Sequence, residues 1–254
     1  MKLGLVTFQM AAKWDVDLII ANCTEAAFQG VELRTTHAHG VEDMLTAPQR
    51  DDIRRKFADG GITAYGIGTA CEFHSSDSAE LQSNIDSAKR AVQLAADLGM
   101  EGVKVRPNGL PDGVAEERTL EQIGLAVRDV AVFGADRGIR VWLEVHGTGT
   151  CRVDRMRKII DIADHHNALL TYNCNRGETD ENSNCRASYE LLKDKIGCVH
   201  IQEIWDPHRY PYGELLHYLK RDGYTGWTSY EGPGSSDAVF VMKCYRRLWE
   251  LMLS

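Results

Sequence analysis

Four residues able to ligate a metal ion, Glu144, Asn173, His200 and Glu231, each close an apolar, strand-like run, and they recur about 29 residues apart. The runs are 139-IRVWLEVHG, 168-ALLTYNCN, 197-GCVHIQEI and 226-GWTSYEGP. Residues this distant in sequence converge only if their strands lie parallel and adjacent, with their C-terminal ends at one mouth. Further strand-like runs begin near Leu3, Val31, Ile62 and Val103, and helical stretches of about 12 to 24 residues separate all of them.

The helical stretches carry their own signals. Asp77 with Glu80 reads as a capping box, followed by a stripe of Leu81, Ile85, Ala88, Val92 and Ala95 at helical spacing. Leu120, Ile123, Val127 and Val130 repeat the pattern, as do Val241, Tyr245, Leu248 and Met252. Gly30, Gly61, Gly102, Gly138, Gly197 and Gly226 stand just before strands, where helix C-caps need positive φ.

Eight strand–helix units in strict alternation predict an α/β chain with a parallel sheet. The length of 254 residues matches one (β/α)8 TIM barrel, typically about 250 residues. A closed barrel is favoured over an open doubly wound sheet because no GxGxxG follows the first strand, and polar strand ends are spread over most strands. No linker or charge shift divides the chain, so residues 1–254 read as a single domain.

The hydrophobic fraction of 43% supports a packed core, and a net charge of −8 without a block of like charge argues against nucleic acid or an anionic membrane as partner. The opening MKLGLVTFQMAAKW has no signal-peptide core, and no apolar run is long enough to span a bilayer. Seven cysteines, scattered and without a CxxC pair, suit reduced thiols. The expectation is a cytoplasmic protein.

Alternation along each strand sharpens the site, because successive side chains face opposite sides of a sheet. Val141, Leu143 and Val145 share the face that suits packing on helices, so Trp142, Glu144 and His146 face the barrel axis. The same argument sends Glu32, Arg34, Lys104, Arg106, Leu169, Thr171, Asn173, Asn175, Cys198, His200, Gln202, Trp227, Ser229 and Glu231 inward. Glu32 with Arg34 or Lys104 is a candidate ion pair of the barrel interior. Two carboxylates and an imidazole aimed at one mouth waste desolvation energy unless a cation or substrate joins them.

In 31-VELR, 71-CEFHSSD, 102-GVKVRP, 142-WLEVHG, 199-VHIQE and 228-TSYEG, taken in order and spacing, the chain resembles the xylose isomerase-like barrel superfamily, in particular its sugar phosphate isomerase/epimerase branch. The resemblance implies one divalent ion (Mn2+, Mg2+, Co2+ or Zn2+) held by Glu144, Asn173, His200 and Glu231. Asn173 departs from the family pattern, which has Asp there. An amide oxygen brings no charge, so weaker metal binding is expected. The family often places a histidine three residues after that Asp, where this chain has Arg176, and Asn175 is the rival ligand.

The activity implied is isomerisation or epimerisation of a sugar, ketose or sugar phosphate through an enediolate, with the ion as Lewis acid. Glu144 and Glu231 would exchange the proton, one as base and one as acid. His146 and Glu203 are candidate hydroxyl contacts, Glu203 only if its strand has ended by Gln202. Arg34, Lys104 and Arg106 are candidates to bind a carboxylate, an enediolate oxygen or a phosphate. His37, His39 and His74 read as loop histidines. The alternatives are an inosose or polyol dehydratase on the same site, or a sugar-binding barrel with weak or no metal and no turnover. A DNA-repair endonuclease is disfavoured by the missing sixth-strand Asp and the acidic charge. The partner expected is a small sugar or polyol. A homo-oligomer is left open, because Trp249 and Leu253 suit a subunit contact or the barrel's outer ring equally.

Overall fold

The computed structural model describes residues 1–254, the side chain of Arg176 excepted. Eight parallel strands close into one barrel in sequence order: β1 (Lys2–Val6), β2 (Gly30–Arg34), β3 (Thr63–Glu72), β4 (Gly102–Arg106), β5 (Arg140–Glu144), β6 (Ala168–Tyr172), β7 (Ile196–Ile201) and β8 (Trp227–Tyr230). Each is followed by a helix: α1 (Val16–Ala26), α2 (Ala47–Asp59), α3 (Ser78–Asp97), α4 (Glu116–Ala135), α5 (Val153–Ala163), α6 (Arg186–Leu192), α7 (Tyr212–Arg221) and α8 (Ala238–Leu253). The expected (β/α)8 architecture is therefore present. Among the described residues no helix is long and apolar enough to cross a membrane, and all seven cysteines are free thiols.

The apolar stripes pack as their spacing requires. Ile85, Ala88, Val92 and Ala95 of α3, and Leu120, Ile123, Val127 and Val130 of α4, are buried in the layer between strands and helices. They meet the outward side chains of the strands, among them Val103, Val105, Val141 and Leu143. Asp77 caps α3 by accepting from Ala79 N and Glu80 N, but the reciprocal half of the expected capping box is absent. Ser75 takes both roles, accepting from Asp77 N at 3.2 Å and donating to Glu80 Oε2 at 2.6 Å. Trp249 is partly buried against the barrel, its Nε1 donating to Thr228 Oγ1 at 2.9 Å.

Inside the barrel a second, separate cluster of Tyr65, Trp142, Cys198 and Trp227, with Leu169 against it, fills the floor. The rings of Tyr65 and Trp227 stack at 4.3 Å, and Tyr65 OH shares a hydrogen bond with Ser229 Oγ at 2.6 Å. This floor corrects the reading of the glycines. Gly61 and Gly138 do have positive φ, but Gly30, Gly102, Gly197 and Gly226 do not. Gly102 and Gly197 instead leave room for Trp142, and Gly30 for Trp227. Two bulky indoles fit in a narrow barrel only where facing strands give up a side chain. A methyl at Gly102 would stand 2.6 Å from two atoms of the Trp142 indole. Gly102→Ala is expected to destabilise the fold by about 1–3 kcal/mol, seen as a lowered denaturant midpoint. An unchanged midpoint would mean that the indole moves aside freely.

Candidate active site at the C-terminal mouth

Above the aromatic floor, the strand ends open into a cavity of about 380 Å³, within the size range of small-ligand sites. Arg34 closes β2, Lys104 and Arg106 lie on β4, and Glu144 closes β5. Asn173 and Asn175 follow β6, Glu203 follows β7, and Glu231 follows β8. All of these, with His146, line this one cavity. His200 sits just beneath it, fully buried. Strand β7 ends at Ile201, which satisfies the condition on Glu203 and frees it from the outward alternation.

His200 is the hub. Its Nε2 lies 3.1 Å from Glu32 Oε2, while its Nδ1 faces Glu144 Oε1 and Glu231 Oε2, each at 3.5 Å. Nδ1 is buried and has no hydrogen-bond partner. A carboxylate on one ring nitrogen fixes the tautomer and turns the other toward a ligand. Burial alone disfavours the imidazolium, yet Glu32 and then Glu231 hold the His200 pKa well above its usual value. Burial likewise works to raise Glu144, but Lys104 and then His200 hold its carboxyl well below the ordinary range. The Lys104 Nζ lies 2.9 Å from Glu144 Oε2, both side chains almost fully buried.

Glu144, His200 and Glu231 offer ligand atoms all within 4.8 Å of one another. Three carboxylates converge on one imidazole, and besides His200 itself only Lys104 puts a cationic side chain in contact with them among the described residues. The unpartnered Nδ1 and the hard oxygen and nitrogen donors fit a divalent ion. A second group, Glu32, Cys198 and His200, meets the same distance limit, but it is wholly buried, and its Glu32 is already bonded to His200 Nε2.

The expected interior ion pair of Glu32 with Arg34 or Lys104 is not formed: Glu32 goes to His200 and Lys104 to Glu144. Arg106 is paired with Glu72 at 2.7 Å. Asn173 is clamped by Gln202, whose Nε2 donates to its backbone O at 2.8 Å and to its Oδ1 at 3.2 Å. Tyr212 OH donates in turn to Gln202 Oε1. Asn175, the rival ligand, spends its amide nitrogen on the backbone O of Val145 and on Glu178 Oε1. Burial raises the Glu178 carboxyl to about 8. His146 Nδ1 meets Asn108 Oδ1 at 3.1 Å, and burial first lowers its pKa. The side chain at Arg176 lies outside the described residues.

Glu32, Gln202 and Arg209 were not assigned to the site from the sequence. Inward parity was the available signal for the first two; Arg209 sits in the loop after β7, where alternation gives none. His39 is a loop histidine, bonded to Arg34 O and Val41 N, and neither it, His37 nor His74 lines the mouth.

Together these observations define a (β/α)8 barrel with a carboxylate–imidazole centre at its C-terminal mouth. The chain matches the family model of the xylose isomerase-like TIM barrel over residues 20–247, and it belongs to that family. No curated protein matches it by sequence. Among solved structures it is similar to D-psicose 3-epimerase from Clostridium cellulolyticum H10, crystallised with D-tagatose, with a TM-score of 0.84, 14% identity and 100% of each chain covered. An L-ribulose 3-epimerase superposes with a TM-score of 0.83 and 17% identity over 100% of this chain and 95% of that one. The 3-keto-D-glucoside 4-epimerase of E. coli, in its apo form, gives 0.81 and 16%, with 99% of each chain covered. At these identities the likeness establishes the fold.

Proposed function

We propose that the protein is a divalent-metal-dependent ketose epimerase or isomerase. The observation that carries the proposal is the buried, unpartnered Nδ1 of His200 between one oxygen of Glu144 and one of Glu231. Glu144, His200 and Glu231 would hold the ion, with Asn173 as a neutral fourth ligand. When bound, such an ion supplies Lewis-acid polarisation of a carbonyl. The named activities of the similar barrels, all sugar epimerases, support the same class.

The residues of this chain divide the proton chemistry unequally. Lys104 keeps Glu144 ionised and fixes its orientation, so Glu144 enters the cycle as a carboxylate. Glu231 has no Lys or Arg partner among the described residues, and its side chain is the more exposed of the two. Strands β5 and β8 approach the cavity from different sides, as proton transfer to either face of a planar carbon requires. Glu32 orients His200, and Gln202 with Tyr212 orients Asn173.

The test is exchange. Incubated with Mn2+ and a panel of ketoses in D2O, the protein is expected to place deuterium at the carbon beside the carbonyl of its substrate. No exchange with any ketose would leave the dehydratase, recognised by released water, or the non-catalytic barrel. The fourth ligand has its own test. Asn173→Asp adds a charged oxygen at the same place and is expected to tighten Mn2+ binding on the order of tenfold, measured by calorimetric titration. Unchanged affinity would take Asn173 out of the ligand set.

A further inference from the structure

Four cationic side chains reach the cavity: Arg34, Lys104, Arg106 and Arg209. Three of them already have a carboxylate. Lys104 Nζ is on Glu144 at 2.9 Å, Arg106 Nη2 on Glu72 at 2.7 Å, and Arg209 Nε on Glu203 at 2.9 Å. Among the described residues Arg34 has no acidic partner and no side-chain hydrogen bond, and its Nη1 is buried without an acceptor. A guanidinium stays charged at any physiological pH, and a desolvated N–H donor on a cation is costly to leave unmet.

The backbone under that guanidinium is fixed. Arg34 N donates to Thr7 Oγ1 at 2.8 Å, and His39 Nε2 lies 2.8 Å from Arg34 O. Arg34 therefore stands at the end of β2 on a rigid stem, two strands round the barrel from β8, the strand that leads into Glu231. The neighbouring His37 offers no negative charge. Its pKa is lowered, first by burial and then by the charge of Arg34 itself. The cavity thus keeps one permanent positive charge whose forked donors are unspent, in the geometry that matches a carboxylate or phosphate.

We propose that Arg34 binds an anionic group of the substrate, a carboxylate or a phosphate, while the rest of the molecule lies at the Glu144–His200–Glu231 centre, so that the protein selects acidic ketoses over neutral ones. This rests on the reading of the site as a ketose epimerase or isomerase, and it names the substrate class.

Calorimetric titration of the Mn2+-loaded protein with matched pairs tests it: D-ribulose against D-ribulose 5-phosphate, and D-fructose against D-fructuronate. The charged member of at least one pair is expected to bind roughly tenfold to a hundredfold more tightly. Which pair shows the preference separates phosphate from carboxylate. In Arg34→Gln the ratio within that pair is expected to fall toward one, and Arg34→Lys to retain part of it. Equal binding of neutral and charged members by the wild-type protein overturns the anion assignment alone, whether or not the variants fold. So does a preference that survives unchanged in Arg34→Gln. If no ketose of either kind binds, the proposal falls together with the ketose reading beneath it.

Discussion

Glu144→Gln and Glu231→Gln are each expected to slow deuterium exchange into substrate by about 10²- to 10⁴-fold, the range lost when a positioned acid or base is removed. The replacement keeps the shape of the side chain and removes the group that carries the proton. The two variants should differ in stability. Lys104 is almost fully buried and Glu144 is its ion-pair partner, so Glu144→Gln strands a buried charge at a cost of about 3–5 kcal/mol. Glu231→Gln leaves the buried His200 with Glu32 and Glu144 still beside it and should melt closer to the wild type. The double variant Glu144→Gln/Lys104→Met removes both charges and separates the effects: stability is expected to recover while exchange does not. Proton NMR at the exchanging carbon and a thermal melt read the two quantities. Exchange at the wild-type rate in a folded single variant would take that carboxylate out of the proton path.

Much of this site was legible because strand alternation survives closure of the barrel. Once Val141 and Leu143 are assigned to the helix-facing side, Trp142, Glu144 and His146 have to face inward, and they do. The same logic placed Lys104, His200 and Glu231. Pairing between strands was not legible, because it depends on stagger and on irregular register. The register shifts between Val31 and Glu32, so that Glu32 pairs with Gly66. Such a slip changes which residues of β3 face inward. Tyr65 consequently lies in the barrel floor while a Cβ on Gly66 would also run into Trp142. With the register unknown, the choice of Lys104 for Glu144 and of Glu32 for His200 had no local signal.

The glycines show the same limit from another side. Gly102 and Gly138 both stand at the start of a strand-like run, and in sequence they look alike. One turns the chain at positive φ and the other makes room for an indole that belongs to the next strand. Asn173 differs again. Its identity was plain, but the clamp from Gln202, just past β7, and the support of Tyr212 on α7 come together only through the fold. That clamp holds an amide where the family pattern has a carboxylate, which makes metal affinity the decisive quantity for this chain.

In the proposed function Glu144, His200 and Glu231 hold one divalent ion. EDTA-treated protein titrated with Mn2+ in a calorimeter, beside His200→Ala, tests it most directly. His200 gives its Nε2 to Glu32 and has no hydrogen-bond partner for Nδ1, so if it is a ligand its loss leaves only the carboxylates of Glu144 and Glu231 to hold the ion. Loss of a partner that only orients a ligand typically costs 10- to 100-fold in affinity, and loss of the ligand itself should cost about a hundredfold or more. One Mn2+ per chain is expected in the wild type, with binding weakened to that extent in His200→Ala. Absence of binding by the wild type at millimolar Mn2+, or equal binding by the variant, would contradict it.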